Sequence, residues 1–284
     1  MPHYRLGPLD RMIVIDVPDG GFNEEPLQIG ATHTSLNGTA TRDTFGYKRN
    51  WSIPLQGLEP TALSWFELCY RGAAGPVYFL DESRVNRLSE AASSTLSAWS
   101  PVDPFTASSG TLVSTVTGVP ARLSTTTGAT VVQALAPIYA LRWTPVAAGT
   151  VLASDVLVPV ARGEQVCFSL YLLDGVCTIE LVPYSAAGVA GSPITGGINL
   201  AENVTRRYLT TTIPTDGSVV AVRPRVRVLV ADTVDTIGWQ LEAAALPSPW
   251  IQGSPPCRVL VSLGGHKRRH YGNNIDSILT LIEV

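Results

Sequence analysis

The chain ends with two runs of strand-forming residues, CRVLVSL at positions 257–263 and IDSILTLI at positions 275–282. Two strands are too few for an independent domain, because a lone pair buries too little apolar surface. Chain termini often lie close together in compact domains, and insertions are tolerated in exposed loops. We therefore expect these strands to complete a sheet begun by the first eighty residues, with the middle of the chain inserted between them.

The first eighty residues predict strands and one short helix. The dipeptide Asn37-Gly38 is the strongest signal for a two-residue hairpin turn, because both residues tolerate positive φ angles. Further along, Leu63, Phe66 and Tyr70 recur at helical spacing, and Gly72 follows them as a stop signal. The segment thus predicts a hairpin, then a short amphipathic helix, then a return to strand.

Composition limits the classes of function. Charged residues make up 15% of the 284 residues, against about 25% in ordinary soluble domains, which is typical of a surface buried against other subunits. The net charge of −3 gives no general attraction to phosphate backbones, so we expect no specific nucleic-acid binding. No apolar run approaches the ~18 residues that span a bilayer, and the start of the sequence lacks a signal-peptide pattern. We therefore expect no membrane partner and synthesis in a cytoplasm.

The middle of the chain predicts a second domain. Residues 91–118 are rich in Ser, Thr, Gly and Pro and are interpreted as a loop or linker. Between residues 141 and 251, short apolar runs alternate with turn signals at the spacing of a sandwich or jelly roll. The predicted fold is all-β with one short helix. A β-sandwich domain of residues 1–90 plus 255–284 is interrupted by an inserted jelly-roll β-sandwich of residues 91–254 with a Ser/Thr/Gly-rich entry segment.

Asp174-Gly175 predicts a two-residue hairpin turn inside the inserted domain. If the flanking strands pair, alternation places one set of side chains in the core: Val166, Phe168, Leu170, Leu172, Cys177, Ile179 and Leu181. The other set forms a mostly polar outer surface: Cys167, Ser169, Tyr171, Thr178 and Glu180. A later strand repeats the pattern, with valines on one side and arginines on the other: Arg223, Arg225 and Arg227.

The polar side of this hairpin is the candidate glycan site. Sugar binding needs a flat aromatic ring beside groups that bond hydroxyls. The residues that supply this mixture are Tyr171, Ser169, Thr178, Glu180 and one of the three arginines, taken here as Arg225. Trp99 and Tyr184 are alternative platforms on loops, whereas Trp143 and Trp239 are assigned to the core. A solvated face with Arg–Glu pairs of little energetic value fits the same residues, and that alternative stays open.

Other chemistry has fewer candidates. Glycoside hydrolysis needs two carboxylates about 5–10 Å apart, and Glu180 with Glu242 is the available pair, although salt bridges to the arginines explain both. The sequence contains no nucleophile-elbow, zinc-protease or phosphate-loop motif, so no catalytic residue, metal or cofactor is predicted. One basic segment is interpreted as a solvated or subunit-contacting loop rather than a nucleic-acid or metal site: His266, Lys267, Arg268, Arg269 and His270.

Particular segments resemble a known family. GLEPT at 57–61, the helix through 70–72, and GPVYFLD at 75–81 with Asn86 resemble the minor tail proteins of long-tailed actinobacteriophages. The order of strand, helix, Gly-Pro strand and Asp, with LTLIEV at 279–284, resembles the distal tail protein family over about the first ninety and last thirty residues. That resemblance implies a hexameric ring between tail tube and tip in the virion tail, in contact with the tail tube protein, the tail hub and other tip proteins.

The inserted domain resembles a second group. IGWQLE at 237–242 and PWI at 249–251 are similar to the closing strand of galactose-binding-type jelly rolls and carbohydrate-binding modules of phage tails. This resemblance implies either binding of a host cell-wall polysaccharide or decoration of the ring. The leading hypothesis is a non-enzymatic tail-tip ring protein with an outer module for glycans. A lectin-like adhesin is the alternative, and a glycoside hydrolase is a third reading.

Overall fold

The computed structural model describes residues 4–16, 21–34, 40–81, 83–94, 104–115, 140–200, 205–251, 253–268 and 274–284. The elements in chain order are β1 (Tyr4–Gly7), β2 (Ile13–Ile15), β3 (Asn23–Thr34), β4 (Ala40–Leu58), α1 (Pro60–Tyr70), β5 (Val77–Asp81), α2 (Glu90–Ser94), β6 (Phe105–Ala107), β7 (Thr111–Thr115), β8 (Ala140–Thr144), β9 (Val151–Ser154), β10 (Val158–Pro159), β11 (Gln165–Asp174), β12 (Val176–Tyr184), β13 (Ile194–Leu200), β14 (Thr205–Thr212), β15 (Ala221–Val228), β16 (Val234–Glu242), β17 (Cys257–Arg268) and β18 (Ile275–Glu283). The all-β class is confirmed, with two short helices in place of one. Within these ranges, no helix is long and apolar enough to cross a membrane.

The chain divides into two compact units, Met1–Asp81 with Cys257–Val284 and Glu82–Pro256. In the first unit the described strands form one antiparallel sheet in the order β2-β1-β5-β17-β18-β4-β3. Strand β18 pairs with β4, where Leu279 is opposite Ile53, and β17 pairs with β5, where Cys257 is opposite Phe79. The two C-terminal strands therefore lie in the middle of this sheet.

Helix α1 packs on the apolar side of the first sheet. Pro60 begins the helix, where a missing N–H costs no hydrogen bond, and Gly72 follows its end with a φ of +70°. Phe66 and Cys69 are buried in the core of this unit, whereas Tyr70 is exposed. The core side of the sheet contributes Leu6, Ile15, Trp51, Ile53, Leu55, Val77, Phe79, Val259, Leu279 and Leu281.

Strands β3 and β4 form the predicted hairpin. They pair antiparallel from Asn23 opposite Ser52 to Thr34 opposite Ala40. The turn dipeptide Asn37-Gly38 itself lies outside the described residues. The antiparallel pairing of these two strands is confirmed, but the register differs by one residue, since a two-residue turn at 37–38 would set Thr34 opposite Thr41 rather than Ala40.

The second unit is a sandwich of two antiparallel sheets. One has the order β13-β12-β15-β9-β6, with β10 also paired to β15, and the other has the order β14-β11-β16-β8-β7. Their inner sides share a core that includes Trp143 and Trp239, both fully buried as predicted. The predicted core residues on either side of Asp174-Gly175 also lie in this core: Val166, Phe168, Leu170, Leu172, Cys177, Ile179 and Leu181.

The predicted pairing across Asp174-Gly175 is wrong. Strand β11 pairs with β14 and β16, whereas β12 pairs with β13 and β15, so the turn joins two different sheets. Gly175 does adopt a positive φ of 88°, as such a turn requires. The same inward alternation serves a hairpin and a connection between facing sheets, which is why the sequence pattern did not distinguish them.

The entry segment belongs to the sandwich more fully than its composition indicates. Strands β6 and β7 pair with β9 and β8, although the composition of residues 91–118 predicts a loop. The predicted boundary at residue 90 also differs from the observed one at Glu82. Asn86 is buried and donates to the carbonyl of Trp239 at 3.1 Å, and Arg87 is buried in a bidentate pair with Glu164. These bonds attach residues 86–87 to the second unit.

Substitution of two glycines with positive φ tests the geometry of the turn that connects the two sheets. At Gly175, an added Cβ would collide with the carbonyl oxygen of Thr233, whereas at Gly188, with a φ of +74°, it would meet no atom within 4 Å. Gly→Ala at either site carries the left-handed backbone penalty, but only Gly175→Ala adds a steric clash. We expect Gly175→Ala to lower the free energy of unfolding by about 1–3 kcal/mol more than Gly188→Ala. Urea unfolding monitored by tryptophan fluorescence measures the difference, and equal losses would contradict this geometry.

Candidate functional site

The candidate site is the outer side of the sheet that contains β12 and β15. We call it the arginine face and define it by Arg223, Arg225, Arg227, Glu180 and Thr178. Alternation along β15 places valines in the core and the three arginines on the opposite side. The register sets Arg225 opposite Glu180 and Arg227 opposite Thr178. One strand thus presents a row of guanidinium groups beside a carboxylate.

The carboxylate of Glu180 organises this row. Its two oxygens accept hydrogen bonds from Arg225 Nε at 2.5 Å and Arg227 Nε at 2.7 Å. Glu180 is only 2% exposed, while the side chains of Arg225 and Arg227 are 17% and 35% exposed. The guanidinium groups therefore lie over the carboxylate, where charge-assisted hydrogen bonds hold them in place.

The third arginine has separate partners. Arg223 donates from Nε to the carbonyl of Ser154 at 2.5 Å and from Nη2 to Asp155 at 3.2 Å. Asp155 also accepts a hydrogen bond from Thr106 on β6. Three guanidinium groups and two carboxylates leave this face with an excess of one positive charge. Because arginine neither releases a proton nor accepts a hydrogen bond, these side chains are suited to binding rather than to proton transfer.

The predicted glycan residues do not form one site. Thr178, Glu180 and Arg225 lie together on the arginine face. Ser169 and Tyr171 lie on β11, in the other sheet, and point away from the shared core. They are therefore on the opposite side of the sandwich, and both are fully buried rather than exposed. Trp99 lies outside the described residues.

Ser169 and Tyr171 belong to a buried polar layer on the outer side of β14-β11-β16. The layer consists of Ser169, Tyr171, Arg206, Gln240 and Glu242, and residues 247–251 cover it. Arg206 Nη2 donates to Ser169 Oγ at 2.8 Å and lies 3.9 Å from Glu242 Oε1, and its guanidinium is 5.6 Å from the centre of the Tyr171 ring. Burial raises the pKa of the Tyr171 phenol and lowers that of Arg206.

The covering segment forms hydrogen bonds with three members of this layer, Arg206, Gln240 and Glu242. Ser248 donates its backbone N–H to Glu242 at 3.0 Å and accepts from Arg206 through its carbonyl. The backbone N–H of Ile251 donates to Gln240 at 3.0 Å. These contacts identify the layer as structural, because Arg206, Gln240 and Glu242 are bonded both within the layer and to the segment above it. Alternation alone indicated an open polar face, and no short-range signal revealed the cover.

The residues predicted for hydrolysis and for the basic loop do not form a site either. Glu180 and Glu242 lie on opposite outer sides of the sandwich, so they do not form the carboxylate pair that glycoside hydrolysis requires. His266 and Lys267 are exposed near the end of β17, which ends at Arg268. Arg269 and His270 lie outside the described residues. Among the residues that the structure describes, no group of three or more His, Cys, Asp or Glu side chains is arranged to hold a metal ion.

Comparisons with known proteins give only distant similarities. No protein-family model matches the chain. No curated protein matches its sequence. Among solved structures, the chain is similar to the enzymatically active domain of tailspike protein 4 of bacteriophage CBA120, with a TM-score of 0.42 and 10% identity, over 56% of this chain and 22% of that one. The match therefore spans under a quarter of the tailspike chain.

Two carbohydrate-binding modules are also similar to this chain. The C-terminal family 22 module of Clostridium thermocellum Xyn10B has a TM-score of 0.38 and 11% identity, over 52% of this chain and 89% of that one. A module from the β-sandwich superfamily described for promiscuous specificity has a TM-score of 0.34 and 12% identity, over 84% of this chain and 96% of that one. All three TM-scores are below 0.5, so the site is interpreted from its own residues.

The two polar clusters differ in how strongly they depend on their arginines. Arg206 is 1% exposed, and its removal leaves the buried Glu242 and Ser169 without that cation. Arg223 is 27% exposed and its partner Asp155 is 38% exposed. We expect Arg206→Met to lower the free energy of unfolding by about 3–5 kcal/mol, and Arg223→Met by about 1 kcal/mol or less. Urea denaturation of both variants provides the comparison, and a small loss in Arg206→Met would mean that the polar layer is not essential for the sandwich.

Proposed function

We propose that this chain is a structural, non-enzymatic component of a bacteriophage tail tip, in which the first unit assembles into a homo-oligomeric ring. The resemblance of residues 57–81 and 279–284 to distal tail proteins supports the proposal. In that setting the ring contacts the tail tube protein, the tail hub and other tip proteins, and six copies are expected. The second unit presents its arginine face to a host cell-wall polysaccharide.

The observation that carries the assembly proposal is a two-stranded arm. We define the arm as residues 27–34 of β3 and 40–48 of β4. Within the described strands, residues 40–48 pair with β3 alone, whereas residues 50–58 of β4 also pair with β18. An isolated pair of strands is marginally stable in water. The arm therefore gains stability when a neighbouring molecule packs against it.

An exposed aliphatic side of the first sheet supplies a surface for that neighbour. Leu260 on β17 and Ile278 on β18 are 62% and 47% exposed. The strand registers place them on the same side as Ile282 on β18 and Leu27 and Ile29 on the arm, which are also exposed. Leu260 and Ile282 are directly opposite each other, and exposed aliphatic residues on one side of a sheet mark interaction surfaces.

A second copy of the chain is the partner that would both stabilise the arm and cover the exposed aliphatic side. The arm of one subunit laid against the aliphatic side of the next would bury apolar surface on both partners. If Leu27 and Ile29 on the arm of one subunit contact Leu260 and Ile278 of the next, the two contacting sets are on different strands, so the contact is head-to-tail, and head-to-tail contacts close into rings when the rotation allows it. The low charged fraction of the chain, 15%, fits a protein with much surface in subunit contacts. The basic segment from His266 to His270 stays a predicted subunit or lumen contact.

The arginine face favours a second candidate function, a lectin-like adhesin whose main role is binding host glycans. Its guanidinium groups are held in fixed positions and are partly exposed. If the chain acts alone in this way, glycan binding should be independent of ring formation. A monomeric variant that keeps full glycan affinity and full host adsorption would favour the adhesin over the ring protein.

Substitutions on the aliphatic side test the assembly. We expect the wild-type chain to form a ring in solution and the double variant Leu260→Asp, Ile278→Asp to be monomeric, because two carboxylates would be buried without partners at the contact. Two apolar anchors worth about 2 kcal/mol each correspond to a loss of roughly three orders of magnitude in affinity. Mass photometry at micromolar concentration gives the oligomeric state.

The matched control is Ile198→Asp, which replaces an exposed aliphatic residue of the second unit. This variant should assemble as the wild type does, and circular dichroism should show that all three proteins are folded. A wild-type chain that is strictly monomeric alone and in assembled particles would contradict the proposal. A double variant that still forms the ring would exclude the aliphatic side as the contact.

A further inference from the structure

We propose that the arginine face binds an anionic saccharide, one that carries carboxylate or phosphate groups. This inference rests on the glycan-binding part of the proposed function and specifies its ligand class. It depends on three features of the face: the kind of hydrogen-bonding groups that it exposes, the fixed positions of its guanidinium groups, and the depth of its carboxylate.

The face offers donors and few acceptors. Among the described residues, Arg225 bonds through Nε to Glu180, which leaves its two terminal nitrogens available as donors. Arg223 uses Nε and Nη2 and keeps Nη1. Glu180 is already engaged by two arginines, and Thr178 is buried. Neutral sugars present hydroxyls that both donate and accept, so a surface made of donors favours a ligand rich in acceptors, such as a carboxylate or phosphate.

The guanidinium groups are fixed before a ligand arrives. Each of the three arginines is anchored at its Nε atom by a protein acceptor, at distances of 2.5–2.7 Å. Alternate residues of a strand are roughly 6.6 Å apart, so the three side chains leave β15 at regular intervals. Arg225 and Arg227 converge on Glu180, while Arg223 turns to Ser154 and Asp155. Ordering a free arginine side chain costs conformational entropy, because its rotatable bonds lose their freedom. Much of that loss has occurred in the folded protein, and binding does not incur it again.

The burial of the Glu180 carboxylate determines the charge that this part of the face presents to solvent. Glu180 is 2% exposed beneath the arginines, whereas the arginine side chains are 17–35% exposed. A ligand that approaches Glu180 from solvent therefore meets the guanidinium groups of Arg225 and Arg227 first. Arginine forks match planar carboxylate and phosphate groups in two parallel hydrogen bonds, which an ammonium group or a hydroxyl does not reproduce.

A neutral glycan and a nucleic acid fit these residues less well. By alternation Tyr184 lies on the same side of β12 as Glu180, but at the end of the strand, so the row of arginines does not surround an aromatic platform. Duplex binding typically involves several phosphate contacts, and this face has an excess of one cation on a chain of net charge −3. A saccharide with spaced acidic groups is the better match.

Binding of defined polymers to the full chain tests the inference. The probes are polygalacturonate for carboxylates, a poly(glycerol phosphate) for phosphates, and dextran as the uncharged polymer. We expect at least one charged polymer to bind in isothermal titration calorimetry and dextran not to bind, and affinity to fall as salt rises. The charged polymer that binds distinguishes a uronic-acid ligand from a phosphodiester ligand.

Three variants test whether the charged polymer binds at the arginine face. Arg225→Gln should weaken binding of the charged polymer at least tenfold, because it removes the fork with two available nitrogens. Arg223→Gln leaves both bonds to Glu180 in place and should also weaken binding, so the test holds even if Arg225→Gln is misfolded. Arg142→Gln is the matched control, since Arg142 is a partly exposed arginine of the other sheet, paired with Asp235. It should bind as the wild type does.

The remaining outcomes are distinct. Binding of dextran with the same affinity as the charged polymers would overturn the anionic ligand class and leave glycan binding intact. A wild-type chain that binds no saccharide would overturn both, while ring formation in mass photometry would be unaffected. Displacement of the charged polymer by equimolar DNA, or unchanged binding in both arginine variants, would also overturn the inference.

Discussion

The position of β18 between β17 and β4 is the constraint on which the rest of the structure depends. Leu279 and Leu281 are fully buried opposite Ile53 and Trp51, and without this strand β4 would have unpaired backbone groups along a buried edge. Because β17 pairs with β5 at Cys257 and Phe79, the chain leaves the first sheet and returns to it on neighbouring strands. A long insertion at this point therefore leaves the pairing of the first sheet intact.

In the second unit, the same pattern of alternating polar residues has opposite outcomes on two strands. On β11 the outward side is covered by residues 247–251, and Arg206 is enclosed in a network with Glu242 and Ser169. On β15 the outward arginines remain partly exposed above Glu180. The polar layer stabilises the sandwich, and the arginine face is left as the surface with binding chemistry. A difference in cover, rather than in residue type, separates structure from candidate function.

Local and periodic signals predicted much of the fold. Asn37-Gly38 predicted the pairing of β3 with β4, and the helical spacing around Phe66 predicted α1. Alternation also identified the core side of β11 and β12. It did not show whether Asp174-Gly175 joins paired or facing strands, since both connections point the same residues inward. That ambiguity placed Tyr171 beside Glu180, although they lie on opposite sides of the sandwich. The cover over this layer includes the bond from Arg206 to Ser248, which joins residues distant in sequence.

Hydrogen exchange of the full chain in increasing urea tests the continuity of the first sheet most directly, because it reports the free energy of opening strand by strand. A continuous sheet predicts that the amides of Leu279 and Leu281 in β18 are protected as strongly as those of Ile53 in β4 and Phe79 in β5, with the same dependence on urea. Loss of protection in β18 while β4 and β5 remain protected would show that the C-terminal strands are an appendage and would contradict the continuous sheet.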